Sequence, residues 1–240
     1  MSAMNLAWAI AGAAIGMPLG AVARSTVFQL SVPSGAPDRS ACPCCCAPVV
    51  PRPALRCGSC GSGFGRPGVL ELVTAAVLAL LLGRFGDSPQ AIPFTFLGAL
   101  GVMLAAIDIS VQRLPDRLVL PAYPLLISLL ALAALLEHNG AGLVRALLGG
   151  LALGAAFLAL ALLRPGQLGG GDIKLAGLAG LALGWLGWPA VITTAVLGFV
   201  LSALTTLALL AAHRVSLKGA VCFGPFLLGG ALIAILGTGH

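Results

Sequence analysis

The chain has 240 residues, of which 59% are hydrophobic and 8% charged, where an ordinary soluble domain carries roughly 25% charged residues. That composition excludes a water-soluble globule: aromatics are only 5%, so Leu, Ala, Val and Ile make the apolar mass, and 33 glycines suit close helix contacts in lipid. The net charge of +6 comes from scattered basic residues rather than a patch or stripe, which argues against nucleic acid as a partner and for membrane topology.

Apolar runs able, or nearly able, to cross about 30 Å of hydrocarbon lie at 4–23, 69–83, 91–107, 118–136, 143–163, 175–187, 189–212 and 220–237. The expected fold class is therefore an all-α polytopic membrane protein of about eight transmembrane helices, in contact with lipid. No Lys or Arg precedes Arg24, so residues 4–22 read as a retained helix rather than a cleaved signal, which would carry positive charge ahead of its apolar core. Gly12, Gly16 and Gly20 recur every four residues and give that helix a smooth packing face. The stretch from Leu175 to Ala212 is too long for one span. It divides at Gly184-Trp185-Leu186-Gly187-Trp188-Pro189, a turn-like cluster whose two tryptophans suit a membrane interface.

Orientation follows from the basic residues. With the N-terminus outside, the inner segments hold Arg24, Arg39, Arg52, Arg56, Arg66, Arg113, Arg117, Arg164, Lys174, Arg214 and Lys218, and only Arg84 and Arg145 lie outside: 11 against 2 of the 13. Three regions result: residues 1–30 with the first transmembrane helix, 31–68 as a cytoplasmic cysteine-rich insertion, and 69–240 as the membrane core.

The insertion is rich in Pro, Ser, Gly and Cys and lacks apolar periodicity, so it cannot build a core of its own. It holds six of the seven cysteines: Cys42, Cys44, Cys45, Cys46, Cys57 and Cys60. Cys42-Pro43-Cys44-Cys45 and Cys57-Gly58-Ser59-Cys60 are two Cys-x-x-Cys pairs separated by eleven residues, close to the spacing of four-thiolate zinc knuckles. The rival reading, a disulfide framework, conflicts with a reducing compartment. The ligands are read as Cys42, Cys45, Cys57 and Cys60, with Cys44 or Cys46 as alternatives to Cys45. Four thiolates leave no open position, so the zinc would be structural. Cys222 reads as a small apolar packing residue inside a helix.

The chain has only seven acidic residues, and a carboxylate at the edge of a membrane helix is costly enough to be a functional candidate. Asp108 closes the apolar run Leu100–Ile107, and Asp172 follows Gly169-Gly170-Gly171; the topology puts both on the cytoplasmic side. Taken alone, Asp172 also reads as a helix N-cap and Asp108 as the partner of Arg113 or Arg117. Taken together they are paired carboxylates at one membrane face, as aspartic peptidase chemistry requires: one activates water while the other protonates the leaving amide. Three consecutive glycines allow close approach of a helix or an extended peptide and leave the carboxylate unobstructed. Asp116, after Pro115, reads as a helix cap. His138, His213 and His240 lie near loops or the terminus, where a solvated histidine is the default. Two other classes compete: a small transporter or channel subunit with a proton- or cation-binding aspartate pair, and a membrane scaffold that docks through its zinc knuckle. The first would favour midplane carboxylates and internal repeats, which are not evident; the second leaves the aspartate blocks unexplained.

In order along the chain, Arg66-Pro67 with Glu71-Leu72, Asp108 with Leu114-Pro115-Asp116, Gly169-Gly170-Gly171-Asp172-Ile173-Lys174-Leu175 and Phe223-Gly224-Pro225-Phe226 resemble the motif blocks of the bacterial prepilin peptidases. These are the leader peptidase and N-methyltransferase enzymes of type IV pilus and type II secretion systems. The resemblance implies cleavage of a prepilin or pseudopilin leader at the cytoplasmic face of the inner membrane, typically after a glycine, with Asp108 and Asp172 as the catalytic dyad. It implies supporting roles for Gly169, Gly171, Lys174 and Glu71. It also implies methylation of the new N-terminus from S-adenosylmethionine, tied to the cysteine-containing region. The chain departs from the family where a Gly-Ser-Phe, Asn-Val and Arg-Leu-Pro pattern is usual: it has Gly16-Met17-Pro18-Leu19-Gly20 and Phe28-Gln29-Leu30-Ser31-Val32-Pro33. It also has Val221-Cys222 where isoleucine and proline are usual. The peptidase half of the resemblance is the more complete.

Overall fold

The structure, a computed structural model, describes residues 5–32, 37–48, 57–63, 68–163, 168–212 and 222–238. Arg52, Arg56, Arg66, Pro67, Arg164, His213, Arg214, Lys218, Val221 and His240, read above for topology or motif, lie outside them. Eight α-helices are described: α1 (Leu6–Leu30), α2 (Val69–Phe85), α3 (Ala91–Val111), α4 (Asp116–Leu136), α5 (Gly140–Leu163), α6 (Gly170–Leu186), α7 (Trp188–Ala211) and α8 (Gly224–Gly237). The expected all-helical class holds, and the chain is a multi-pass membrane protein. Five helices, α1, α3, α4, α5 and α7, are long and apolar enough to span a bilayer. The other three are shorter than the eight expected spans require, since α2 and α6 have 17 residues and α8 has 14, and 17 residues rise only about 26 Å.

Helix ends differ from the apolar runs because polar residues join the terminal turns. α1 continues through Arg24 and Ser25, both buried, to Leu30. α3 continues through Asp108 to Val111 and stops where Gln112 takes a left-handed conformation at φ 50°. α6 starts five residues before its apolar run. The division between α6 and α7 falls where expected, at Gly187, whose φ of 138° lies in the region that favours glycine. Trp188 is exposed, whereas Trp185 is 3% exposed because its turn of α6 faces neighbouring helices.

The chain forms two compact units, Met1–Arg113 and Leu114–His240. In the first, α1 lies on α2 through the glycine stripe: a Cβ at Gly12, Gly16 or Gly20 would strike the α2 backbone at Leu78, Ala75 and Glu71 respectively. That is the small-residue mode of association used where lipid offers no hydrophobic driving force. The opposite face of α1 leaves Leu6, Ile10, Ile15, Met17 and Val22 exposed, as a lipid-facing surface should. Phe85 stacks on Phe94 with ring centroids 4.8 Å apart, joining α2 to α3.

In the second unit α6 is the central element, packed by α4, α5, α7 and α8, and every residue from Leu175 to Trp185 is buried. Glycines again make this possible. Gly180 and Gly184 face Gly149 and Ala146 of α5, leaving no room for a Cβ. The C-terminal carbonyls of α6 are satisfied from outside the helix: Arg145 of α5 donates Nε to Gly184 O at 3.0 Å and its other guanidinium nitrogen to Trp185 O at 2.8 Å. Such charged donors belong at a helix C-terminus.

Candidate active site and metal centre

The cysteine-rich segment acquires order through two knuckles with the same backbone pattern. In the first, Cys42 N–H donates to Ala47 O and Cys46 N–H to Cys42 O; in the second, Cys57 N–H donates to Ser62 O and Gly61 N–H to Cys57 O. Each turn closes on a left-handed residue, Cys46 at φ 57° and Gly61 at φ 70°. Cys46 therefore occupies the place of a turn glycine. The sulfurs that converge are those of Cys42, Cys45, Cys57 and Cys60, all within 4.8 Å of one another. Cys42 Sγ is 3.7 Å from Cys60 Sγ, and Cys45 Sγ is 3.5 Å from Cys57 Sγ. Four sulfurs at about 2.3 Å around one tetrahedral ion stand about 3.8 Å apart, so the four residues fit a metal ion, with Cys44 and Cys46 outside the set. The cysteines are not in disulfides.

The local field already favours thiolate at part of the cluster. The Ser62 hydroxyl, followed by the backbone of Cys44 and Cys45, lowers the Cys42 thiol to about 6, and Ser62 lowers Cys60 likewise. At Cys45 the Ala47 backbone favours thiolate, but the Cys60 and Cys57 sulfurs and burial outweigh it and push the thiol up to about 12. Negative sulfurs this close are what a cation would compensate. Phe28 near the end of α1 packs on Cys42 and Cys57, Arg39 lies over its ring at 5.1 Å, and Arg39 N–H donates to Gln29 O, so the knuckles are seated on α1. Cys222 is not inside a helix as expected; it precedes α8 by two residues, because Pro225 starts the helix late.

Glu71 lies in the first turn of α2. Its Oε2 accepts from Gly68 N–H at 3.0 Å, the half of a capping box available when the N-cap is glycine. Its Oε1 is 2.8 Å from an Arg24 guanidinium nitrogen, with the two side chains 10% and 8% exposed. The Arg24–Glu71 pair crosses the α1–α2 contact at the end of the glycine stripe. Removing one partner would strand a buried charge. Arg24 Nε makes no hydrogen bond.

Asp108 belongs to the first unit and Asp172 to the second. Asp108 sits in the last turn of α3 and is 4% exposed, following the fully buried Ile107; its carbonyl accepts the N–H of the capping residue Gln112 at 2.7 Å. Asp172 is not the N-cap. Gly169 is, with no side-chain cap hydrogen bond, and Asp172 is the third helical residue, its N–H donating to Gly169 O at 3.0 Å. The three glycines have separate jobs. A Cβ on Gly169 would lie 3.3 Å from Asp172 Oδ2, one on Gly171 would lie 2.8 Å from the Leu114 Cβ, and one on Gly170 would meet open space.

Asp116 is likewise no cap. It is the first residue of α4, whose N-cap Pro115 makes no side-chain bond, and its Oδ1 is 2.6 Å from Lys174 Nζ. Lys174 thus joins the starts of α4 and α6. Tyr123 of α4, which the sequence reading passed over, donates its hydroxyl to Lys174 O at 2.6 Å. Its only sequence signal was being the sole tyrosine in the chain.

The type IV leader peptidase family matches residues 95–211, a stretch that includes both aspartates. A prepilin leader peptidase/N-methyltransferase of Burkholderia pseudomallei (strain 1026b) is 34% identical over 98% of this chain and 78% of the relative. The chain belongs to this family. The enzyme of the same name from Bacillus subtilis (strain 168) is 31% identical over 82% of this chain and 81% of its own length. That of Pseudomonas aeruginosa PAO1 is 30% identical over 89% and 74%. No solved structure matches. As a leader peptidase of this family, the chain carries its aspartates at the end of one helix and the start of another, and its cysteine centre on α1.

Proposed function

We propose that this peptidase cleaves the leader of type IV prepilin-like or pseudopilin substrates by an aspartic mechanism, with Asp108 and Asp172 as the acting pair. The observation that carries this reading is that the family match contains both aspartates, in the last turn of α3 and the first turn of α6. Peptide dipoles favour negative charge at a helix N-terminus and oppose it at a C-terminus. That supports Asp172 as the base and Asp108 as the acid. Asp172 takes a proton from water as its oxygen attacks the scissile carbonyl carbon; Asp108 gives a proton to the amide nitrogen as the C–N bond breaks, leaving a leader carboxylate and a new amine. The open space beside Gly170 is where extended substrate backbone can pass.

The basic-residue distribution supports a chain in the bacterial inner membrane with the N-terminus outside and both aspartates and the cysteine centre on the cytoplasmic side. With it goes the proposed regional division into a first helix at 1–30, an insertion at 31–68 and a peptidase core at 69–240. Four sulfurs at tetrahedral spacing support zinc, held by Cys42, Cys45, Cys57 and Cys60 as a structural ion. N-methylation is the second activity in the relatives' name. Arg24 and Glu71 are buried against each other, so neither is open to the donor. Incubating the purified chain with a synthetic prepilin and S-adenosylmethionine, then reading product mass, tests both activities separately. Cleavage by the wild type and none by Asp108→Asn or Asp172→Asn is the expected result; full activity in either variant overturns the dyad.

A further inference from the structure

The first turn of α6 is poorly equipped to hold its own shape. It opens with Gly169, Gly170 and Gly171, the residues with the most conformational freedom to lose, and its N-cap supplies no side-chain bond. Asp172 stands two residues after that start, on backbone that its glycines leave pliant. Contacts from α4 and from the residues just before it, within the same unit, brace the turn. Leu114 packs on Gly171. Asp116 pairs with Lys174, but the side chains are 57% and 38% exposed, and pairs so wetted constrain little. The Tyr123 hydroxyl, reaching Lys174 O at 2.6 Å, is the sheltered contact.

Gly177 makes that contact possible. A Cβ there would collide with the Tyr123 hydroxyl, so the phenol enters the α6 surface through the gap the glycine leaves. The Lys174 carbonyl has a second lone pair beyond its helical bond, and the phenol O–H uses it without breaking the helix. The bond therefore fixes the height and rotation of α6 two residues after Asp172.

We propose that Tyr123 is a positioning residue for Asp172, acting through its hydroxyl bond to the Lys174 carbonyl in the slot left by Gly177. This rests on Asp172 being a member of the catalytic pair. Tyr123→Phe deletes one oxygen and keeps the ring. Its kcat for prepilin cleavage falls about tenfold, since small misplacements of a reacting group cost that much or more. KM stays within twofold, and the melting temperature moves by no more than a few degrees. Gly177→Ala produces the same kcat loss by expelling the hydroxyl, and the double variant is no worse than either single one, because both remove one interaction. Hydrogen exchange at the amides of residues 170–178 speeds up in Tyr123→Phe.

Unchanged kcat in Tyr123→Phe, additive losses in the double variant, or a kcat loss that merely tracks melting overturns the proposal. Asp172→Asn in the same assay separates the two claims: cleavage by that variant defeats the dyad reading, whereas an inactive Asp172→Asn beside a fully active Tyr123→Phe defeats the positioning role alone. Should Gly177→Ala fail to fold, Tyr123→Phe with its exchange readout decides the matter unaided.

Discussion

The last turn of α3 and the first turn of α6 each carry one aspartate, and they are built in opposite ways. Asp108 lies in the last turn of an apolar helix of twenty-one residues; its carbonyl is capped by Gln112, and fully buried Leu104 and Ile107 lie on the turn before it. Asp172 is the third residue of a helix that opens on glycine, and Leu114, Asp116 and Tyr123 brace that start from α4 and the residues just before it. Each aspartate thus stands on a helix end of its own kind, one apolar and one rich in glycine. The second kind trades local stability for room, here the open space at Gly170.

The largest expected effect treats the two turns alike. Asp108→Asn and Asp172→Asn each lower prepilin cleavage by about a thousandfold or more, in the range that acid–base groups supply, while each variant still folds by circular dichroism. The next effect concerns the centre that shares a unit with Asp108. Cys45→Ser loses the bound metal by elemental analysis, whereas Cys46→Ser and Cys44→Ser keep it. Metal loss from the Cys46 variant would reassign the fourth ligand. The third separates the turns: Gly171→Val drives a side chain into Leu114 and lowers kcat about a hundredfold, but Ser110→Val, at an exposed position of α3 whose hydroxyl only back-bonds to Ala106 O, leaves kcat within twofold. Equal losses would erase the contrast. The smallest effect is Asp116→Asn, which costs at most about 1 kcal/mol, lowers cleavage less than threefold, and leaves activity less dependent on salt.

Much of the fold was legible because membrane helices announce themselves locally. Every backbone group must be satisfied within the segment, so a long apolar run is already a helix, and all eight runs became helices. Their ends were less legible. Arg24, Asp108 and Asp172 are polar, yet the helices continue through them because burial, an ion pair or a close glycine contact accommodates each. The cysteines that converge were legible up to one ambiguity, and the structure brings the Cys45 sulfur, not that of Cys44 or Cys46, to the other three. Asp116 and Asp172 looked like caps in the sequence because capping is the commonest local use of an aspartate beside a loop, but Asp116 found a partner 58 residues away in Lys174.

Sequence alone therefore determined the membrane class, the helix count, the metal-ligand spacing and the two aspartates as candidates, since these depend on composition and on patterns within one segment. Tertiary structure decided how α1 and α6 are gripped: Arg24 by Glu71, the α6 C-terminus by Arg145, its N-terminus by Asp116 and Tyr123. Those contacts join residues far apart in the chain. No local pattern encodes them, because whether a tyrosine meets a carbonyl depends on where a glycine in another helix has left a gap.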